Sequence, residues 1–403
     1  MSVNLPPLPE LHPIDGIRLG TVAAGIRYEN RPDLVVIECA EGARAAGVFT
    51  QNAFRAAPVV IAQAHLDLAM PRLLVINTGN ANAGTGDEGL RDALRTCERA
   101  AELAGVQTLE VLPFSTGVIG EPLPVERIEA GLPRALAALD AEGWAEAARG
   151  ILTTDTAPKG ASRVLDLPEG EVRITGICKG AGMIRPDMAT MLAFIATDAG
   201  LDKTVLESLV KEAADASFNR ITVDGDTSTN DACLLLATGR GVALSPDSGG
   251  WEAFRSALIE VFRTLAQAIV RDGEGATRFV TVQVEEAADS AEALAVAYTI
   301  AHSPLVKTAL YAGDPNWGRI LAAVGRAGLA DFDITRVRIF LDDVRIVERG
   351  GRAADYAEEA GQAVMSKPEL TIRVLLGRGE TCERIWTTDL SHEYVTINAE
   401  YRT

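Results

Sequence analysis

The segment KGAGMIRPDMATMLAFIATDAG, residues 179–200, places a threonine, Thr190, between a glycine-rich stretch and an apolar run. A threonine hydroxyl inside a chain is a poor nucleophile because no adjacent base takes its proton. At a chain terminus the threonine's own α-amino group, whose ordinary pKa is about 7.7–8.0, can take that proton. Cleavage of the Ala189–Thr190 bond would therefore create a nucleophile that needs no histidine. Ala189 leaves its carbonyl open to attack, and Gly180 and Gly182 permit the tight turn that the cleavage needs.

Other catalytic machinery is sparse in this chain. The four histidines form neither an HExxH motif nor a nucleophile elbow. A catalytic histidine is still an alternative, because the members of a catalytic triad come together in the fold and not in the sequence. The five cysteines form no CxxC pair, which predicts reduced, buried thiols and neither a disulfide framework nor a structural zinc site. A structural alternative also stays open for Thr190, because threonine suits the first position of a half-buried strand.

The stretch GTGDEG matches the GxGxxG pattern of dinucleotide-binding loops at Gly84, Gly86 and Gly89. The match is weak because TGNANA separates it from the preceding predicted strand. Asp87 and Glu88 would also place carboxylates where a pyrophosphate must bind at a helix N-terminus. The glycines are better explained by a long turn, since glycine tolerates positive φ.

Length, composition and charge limit the possible functions. A chain of 403 residues that is 47% hydrophobic predicts a large core and two domains or lobes. A formal net charge of -18 would repel phosphate backbones and anionic membrane surfaces, so we expect small-molecule partners, no nucleic acid and no membrane. The N-terminal MSVNLPPLPELHPIDG lacks the regions of a signal peptide, and no run of about 18 uncharged apolar residues occurs. The expected compartment is the cytoplasm.

Runs rich in valine and isoleucine alternate with segments of helical periodicity. This pattern predicts a layered α/β or α+β fold, without an internal repeat or a clear linker. Strands are predicted at 34–40, 58–64, 72–77, 171–178, 190–197, 278–285, 336–346 and 370–376, and helices at 90–105, 201–217 and 252–271.

The segment that contains Thr190 resembles the cleavage and nucleophile segment of the ornithine acetyltransferase family, also called glutamate N-acetyltransferases or arginine biosynthesis bifunctional proteins. The resemblance covers essentially the whole chain, because further family motifs occur in the expected order. They are NTGNANAGTG, STGVIGEPLP, ILTTDTAPK, VDGDTSTND, RDGEGATRFV, GDPNWGRIL and the terminal NAEYRT. This series also reassigns the GxGxxG match to a family loop with no dinucleotide role.

The resemblance implies a precursor that cuts itself between Ala189 and Thr190. Residues 1–189 would form an α chain and residues 190–403 a β chain, held together in one folded protomer. The implied fold is a layered sandwich similar to that of N-terminal-nucleophile hydrolases but with distinct connectivity, of the DmpA and ornithine acetyltransferase type. The implied assembly is a heterotetramer of two α and two β chains.

The reaction implied by the family is acetyl transfer from N2-acetyl-L-ornithine to L-glutamate. Thr190 would attack the amide, form an acetyl-threonyl ester and pass the acetyl group to glutamate. The resemblance assigns the oxyanion hole to Thr116 and Gly117. It assigns substrate binding to Thr153, Lys179, Thr190, Glu274, Asn398 and Thr403. A lysine can bind a carboxylate and a glutamate can bind an ammonium group, but which end of the substrate each one binds stays open.

No metal or organic cofactor is expected. The sequence does not decide whether acetyl-CoA is a second acetyl donor. VDGDTSTND is rich in aspartate but lacks the spacing and the distal glutamate of an EF-hand, so we interpret it as a polar loop near the active site. Two other functions remain as alternatives. One is an N-terminal-threonine amidohydrolase or aminopeptidase, in which water replaces glutamate. The other is a nucleotide-binding or structural protein that is not cleaved.

Overall fold

The computed structural model describes residues 2–185 and 191–400 of the chain. The chain divides into two compact units, in agreement with the two lobes predicted from its length. The sandwich unit comprises Pro6–Asn219 and Asp226–Ile269, and the six-stranded unit comprises Met1–Leu5, Arg220–Gly225 and Val270–Thr403.

The sandwich unit is built from two sheets and the helices that cover them. Its strands are β1 (Ile17–Val22), β2 (Leu34–Cys39), β3 (Arg44–Phe49), β4 (Leu73–Asn80), β5 (Val111–Val118), β6 (Lys159–Leu167), β7 (Gly170–Lys179), β8 (Leu192–Thr197) and β9 (Ala232–Ala237). Its helices are α1 (Ala57–Leu68), α2 (Gly86–Ala104), α3 (Val125–Ala137), α4 (Trp144–Gly150), α5 (Lys203–Asp215) and α6 (Trp251–Arg271). One sheet has the strand order β1-β2-β4-β5 and the other β3-β9-β8-β7-β6.

The two sheets pack face to face through one apolar core. Val35 and Ile37 of β2 and Phe114 of β5 share this core with Phe194 of β8. The rings of Phe114 and Phe194 meet edge to face with their centroids 5.1 Å apart, an arrangement that aromatic quadrupoles favour. This contact joins the strand that ends in the predicted oxyanion hole to the strand that follows the predicted cleavage point.

Helices cover the outer faces of both sheets. Leu34 and Val36 of β2 pack with residues of α2 and α3 on one side. On the other side Leu265 of α6 accepts a weak hydrogen bond from the Cys178 thiol through its carbonyl, at 3.6 Å. Because both faces of these strands are buried, β2 begins with the continuous apolar run LVVI rather than with an alternating pattern. The order helix, sheet, sheet, helix agrees with the predicted sandwich.

The predicted strand at 58–64 is wrong, because this segment lies in the helix α1. Pro58 occupies the first turn, where its missing N–H costs nothing. Val59, Ala62 and Leu66 are buried at helical spacing, so burial of that stripe overrides the strand preference of the valines.

The six-stranded unit has the strand order β13-β12-β11-β14-β10-β15. Its strands are β10 (Phe279–Ala287), β11 (Arg338–Leu341), β12 (Val344–Glu348), β13 (Gly351–Arg352), β14 (Glu369–Leu375) and β15 (Thr381–Thr388). Its helices are α7 (Ser290–Ala301), α8 (Pro304–Ala312), α9 (Trp317–Gly325), α10 (Glu358–Met365) and α11 (His392–Ala399). Residues of α7 to α10 share a core with the sheet.

The single strand predicted at 336–346 is a hairpin, because the chain turns at Asp342, whose φ is +48°. The other predicted strands and helices are confirmed within the described residues, including 192–197 of the strand predicted at 190–197.

Three further properties bear on function. Within residues 2–185 and 191–400, no helix is long and apolar enough to cross a membrane. The same part of the chain contains no group of three or more histidine, cysteine, aspartate or glutamate side chains that could hold a metal ion. All five cysteines are free, and four of them are buried as predicted, whereas Cys382 is exposed.

Candidate active site

The predicted oxyanion-hole residues, Thr116 and Gly117, lie near the end of β5. β4 and β5 are parallel, with Gly79 opposite Gly117 and a shift of register at Asn80. Gly117 has a φ of +140°, and a Cβ atom there would lie 2.3 Å from the carbonyl carbon of Gly79. Both the backbone conformation and the close approach of β4 therefore require glycine at this position.

A buried polar network holds this strand end in place. The Ser115 hydroxyl donates to Asn77 Oδ1 at 2.6 Å, and the Asn77 amide donates to the carbonyl of Asn80 at 2.9 Å. Asn230 donates to the carbonyls of Ser115 at 2.9 Å and Ala81 at 2.6 Å. Because buried polar groups need partners, these bonds fix the conformation of the loop that follows β4.

The glycines of GTGDEG shape the turn into α2. Gly84 and Gly86 both have positive φ, and α2 begins at Gly86. A Cβ at Gly89 would lie 1.8 Å from Thr85 Oγ1, so the turn packs against its own helix. Asp87 and Glu88 occupy the first turn of α2, where a bound pyrophosphate would meet like charge.

Lys179 is the last residue of β7 and joins three predicted site segments. Its Nζ atom donates to Thr153 Oγ1 at 2.8 Å and to Thr116 Oγ1 at 3.1 Å. The structure therefore brings together Thr116, Thr153 and Lys179, which are far apart in sequence. The Thr116 hydroxyl oxygen accepts a hydrogen bond from Lys179, so the hydroxyl hydrogen points away from Lys179. That hydrogen can therefore be donated to an oxyanion.

Asp155 is a site residue that the sequence analysis missed. Its side chain is fully buried, and Oδ1 accepts from Lys159 Nζ at 2.6 Å and from the Gly180 amide at 2.7 Å. Oδ2 accepts from the Thr153 amide at 3.1 Å. Burial alone would raise the pKa of Asp155, but the ammonium groups of Lys159 and Lys179 outweigh it and hold that pKa well below its usual range.

This carboxylate therefore anchors the backbone of Thr153 and of Gly180, the residue that follows Lys179. The sequence does contain one sign of this role: Asp155 and Lys159 are four residues apart in TTDTAPK, and Thr153 in the same stretch is assigned to substrate binding. A lone aspartate in a polar stretch is typical of a turn, which is why it attracted no assignment.

Glu274 and Asn398 belong to the six-stranded unit and contact each other. Asn398 Nδ2 donates to Glu274 Oε2 at 2.7 Å, and Glu274 is only 8% exposed. Asn398 lies on α11, whose N-terminus is capped by the Ser391 hydroxyl. A carboxylate beside an amide oxygen is a suitable pair of acceptors for an ammonium group.

Three predicted site residues, Ala189, Thr190 and Thr403, lie outside the described residues. The division into residues 1–189 and 190–403 likewise remains a prediction. Thr116, Gly117, Thr153 and Lys179 belong to the sandwich unit, and Glu274 and Asn398 to the six-stranded unit.

We expect Gly117→Ala to lower kcat for the reaction proposed below. The added Cβ would collide with the backbone of β4 and displace the adjacent amide and the Thr116 hydroxyl. Loss of one oxyanion-hole donor typically lowers kcat by about 10²–10³-fold, and steady-state kinetics would measure the change. Gly325→Ala is the control, since a Cβ there meets no atom within 4 Å. A normal kcat for Gly117→Ala would exclude a role for this backbone in the hole.

Comparison with known proteins identifies the family. Residues 18–403 match the ArgJ family. This chain belongs to the ArgJ family. It is 58% identical over 406 residues to the arginine biosynthesis bifunctional protein ArgJ of Pseudomonas fluorescens (strain Pf0-1), with 100% of each chain covered. It is 58% identical over 395 residues to the Methylococcus capsulatus (strain ATCC 33009 / NCIMB 11132 / Bath) protein of the same name, covering 98% of this chain and 97% of the relative.

Among solved structures, it is similar to an ornithine acetyltransferase from Mycobacterium tuberculosis complexed with ornithine. The identity is 34% and the TM-score 0.42, with 46% of this chain and 97% of that chain covered. The family resemblance seen in the motifs is thus confirmed, and with it the prediction that this ArgJ family member is an enzyme of arginine biosynthesis.

Proposed function

We propose that this ArgJ family member is a self-cleaving acetyltransferase that moves acetyl from N2-acetyl-L-ornithine to L-glutamate, giving L-ornithine and N-acetyl-L-glutamate. The observation that carries the proposal is the direct contact of Lys179 with Thr116 and Thr153. These three residues come from three separate family motifs. Lys179 also pairs across the sheet with Leu192, two residues after the proposed nucleophile Thr190.

The first step of the proposed chemistry is the cleavage itself. The Thr190 hydroxyl attacks the Ala189 carbonyl, and an ester to the hydroxyl oxygen replaces the peptide bond as the amide nitrogen leaves with a proton. Water then hydrolyses the ester, which frees the Ala189 carboxylate and restores the Thr190 hydroxyl. The new α-amino group supplies the base that the internal threonine lacks.

The transfer reaction repeats this chemistry on the substrate. Thr190 attacks the acetyl carbonyl of acetylornithine, its α-amino group takes the hydroxyl proton, and ornithine leaves as the amine. The amine of glutamate then attacks the acetyl-threonyl ester and restores the hydroxyl. The Thr116 hydroxyl and the backbone amide at Gly117 would stabilise the oxyanion in both halves. No step requires a metal or an organic cofactor.

Charge favours an amino-acid substrate for this site. The Lys179 ammonium group contacts the hydroxyls of Thr116 and Thr153, and a cation at this position is suited to a substrate carboxylate. Glu274 and Asn398 offer acceptors for an ammonium group. Thr403 completes the proposed binding set. Acetylornithine and ornithine each carry a carboxylate and a side-chain ammonium group, and glutamate and N-acetylglutamate each carry carboxylates, so a cation at Lys179 can serve both half-reactions.

Sheet topology supports the proposal that both fragments stay in one protomer. In the five-stranded sheet, β8 and β9 come from residues 190–403, while β3, β6 and β7 come from residues 1–189. β9 pairs with β3 and β8 pairs with β7, so two ladders of backbone hydrogen bonds cross the proposed cut. Separation of the fragments would break both ladders and expose the sandwich core.

Two measurements test this function. A denaturing gel with N-terminal sequencing should give two fragments, the second beginning at Thr190. The purified enzyme should then form N-acetylglutamate from acetylornithine and glutamate. An intact chain, or a cut elsewhere, would contradict the mechanism, whereas acetate release that is independent of glutamate would indicate the amidohydrolase alternative. Parallel assays with acetyl-CoA decide whether it is a second donor, and the native mass tests the proposed assembly of two α and two β chains.

A further inference from the structure

Asp389 is a buried carboxylate that none of the assigned roles uses. It follows β15 directly, is 4% exposed and accepts three hydrogen bonds from the segment that leads into β10. Oδ1 accepts from the amides of Thr277 at 2.8 Å and Arg278 at 3.0 Å, and Oδ2 accepts from the Thr277 hydroxyl at 2.5 Å. Hydrogen bonds to a carboxylate are stronger than those between neutral groups, so this side chain fixes the backbone shortly after Glu274.

A buried lysine holds the chain on both sides of Asp389. Lys307 of α8 donates through Nζ to the carbonyl and the hydroxyl of Thr388, and its own carbonyl accepts from the Leu390 amide at 3.2 Å. Burial lowers the pKa of Lys307 to about 8, and the carboxylates of Asp389 and Asp224 oppose that change. Asp389 therefore has a counter-charge and a fixed backbone, so its carboxylate is a rigid anchor for the segment before β10.

Gly275, the residue after Glu274, packs against the first turn of α11. Its φ is +66°, and a Cβ atom there would lie 2.5 Å from Ser391 Oγ and 2.5 Å from the Tyr394 amide nitrogen. Both the conformation and the close approach therefore require glycine. Asn398 lies one turn after Tyr394, and its Nδ2 atom donates to the Tyr394 carbonyl at 3.0 Å as well as to Glu274. The contact between Glu274 and Asn398 thus depends on how this loop docks on α11.

Glu274 keeps one carboxylate oxygen available for a ligand. Within residues 2–185 and 191–400, its Oε1 atom receives no hydrogen bond, and Glu274 pairs with no lysine or arginine. A carboxylate that is largely buried needs a partner for its charge. The α-nitrogen of acetylornithine is acylated, so the only ammonium group of this donor is at the end of its side chain. That group is the suitable partner for Glu274.

We propose that Asp389 is a positioning residue for donor specificity, an inference that rests on the proposed function. Asp389 holds the loop that carries Glu274 on α11, so that Glu274 and Asn398 together bind the side-chain ammonium group of acetylornithine. It does not touch the substrate itself. Because hydrogen bonds weaken steeply with distance and angle, release of the loop would cost the enzyme its contact with the ammonium group. Asp389 therefore determines the preference for a donor that carries this group.

The test compares two acetyl donors in the purified enzyme, with formation of N-acetylglutamate as the readout. N-acetyl-L-norvaline is acetylornithine without the side-chain amine. We expect both Asp389→Ala and Glu274→Gln to lower the ratio of kcat/KM for acetylornithine to that for acetylnorvaline by about 10–10²-fold, which is what a hydrogen bond to a charged group contributes. Asp333→Ala is the matched control, since Asp333 is exposed and accepts from the amide and the hydroxyl of Thr335 at 2.9 Å and 2.6 Å. It should keep the wild-type ratio.

The ratio separates positioning from a merely structural role. If Asp389→Ala lowered kcat/KM equally for both donors, Asp389 would only stabilise the fold and the inference would be overturned, while the proposed function stayed intact. A wild-type ratio in Glu274→Gln would overturn the inference in the same way. A wild-type enzyme that does not transfer acetyl from acetylornithine would overturn both the inference and the proposed function.

A second variant decides the question even if Asp389→Ala does not fold. Gly275→Ala leaves Asp389 in place but pushes the loop away from Ser391 and Tyr394, so the same loss of preference for acetylornithine is expected. Gly328→Ala is its control, because Gly328 also has a positive φ, +78°, but a Cβ there meets no atom within 4 Å. A wild-type ratio in Gly275→Ala would show that docking of the loop on α11 does not align Glu274, and it would overturn the inference.

Discussion

We expect Thr190→Ala to remain a single 403-residue chain without acetyltransferase activity. Alanine lacks the hydroxyl that the proposed mechanism uses twice, first against the Ala189 carbonyl and then against the acetyl group. Loss of a covalent nucleophile in a comparable acyl-transfer enzyme lowers kcat by about 10⁶-fold, so the residual rate should approach background. A denaturing gel and an assay of N-acetylglutamate formation measure the two effects separately.

Thr190→Ser is the matched control, because it keeps a hydroxyl at the same position. We expect this variant to be cleaved and to retain activity at a reduced level. Cleavage of Thr190→Ala would exclude the hydroxyl as the attacking group in the cut. Full transfer activity in an uncleaved Thr190→Ala chain would exclude it from the acetyl-transfer step as well.

The strands of the sandwich unit could be predicted from the sequence because both of their faces are buried. Continuous apolar runs such as LVVI identify strands of an inner sheet, and the helical periodicity of residues 90–105 identifies α2. The segment 58–64 was misassigned because valine-rich runs of this length occur in both strands and buried helices. Its environment, beside β3 and β5 in the core that both sheets share, decides the outcome, and that environment depends on residues far away in sequence.

The sequence could name candidate site residues but not their geometry. The motifs identified Thr116, Thr153 and Lys179, yet their contact depends on the register of β5 and β7, which no local pattern encodes. Asp155 was missed for a related reason. Its role comes from burial and from the Gly180 amide, a partner 25 residues away, whereas its sequence neighbourhood is typical of a surface turn. Register and burial are properties of the folded chain.

Asp155→Asn should destabilise the sandwich unit and lower transfer activity together. The Asp155–Lys159 pair is fully buried, so neutralising the aspartate leaves the Lys159 ammonium group without its nearest counter-charge. Breaking a buried pair in this way typically costs about 3–5 kcal/mol. The same change weakens the acceptors for the amides of Thr153 and Gly180, which should raise KM for acetylornithine. Chemical denaturation and steady-state kinetics measure the two effects.

Glu207→Gln supplies the control, since Lys203 and Glu207 have the same spacing of four residues but are about half exposed. An exposed pair of this kind contributes only about 0.3–0.5 kcal/mol, so the control should unfold close to the wild-type midpoint. Adding Lys159→Met to Asp155→Asn removes the uncompensated charge and should recover part of the stability. It should not recover KM, because the weakened acceptor remains beside Thr153 and Gly180. If the double variant regained a normal KM, Asp155 would be needed only to neutralise Lys159, and its proposed hold on the substrate-binding backbone would be wrong.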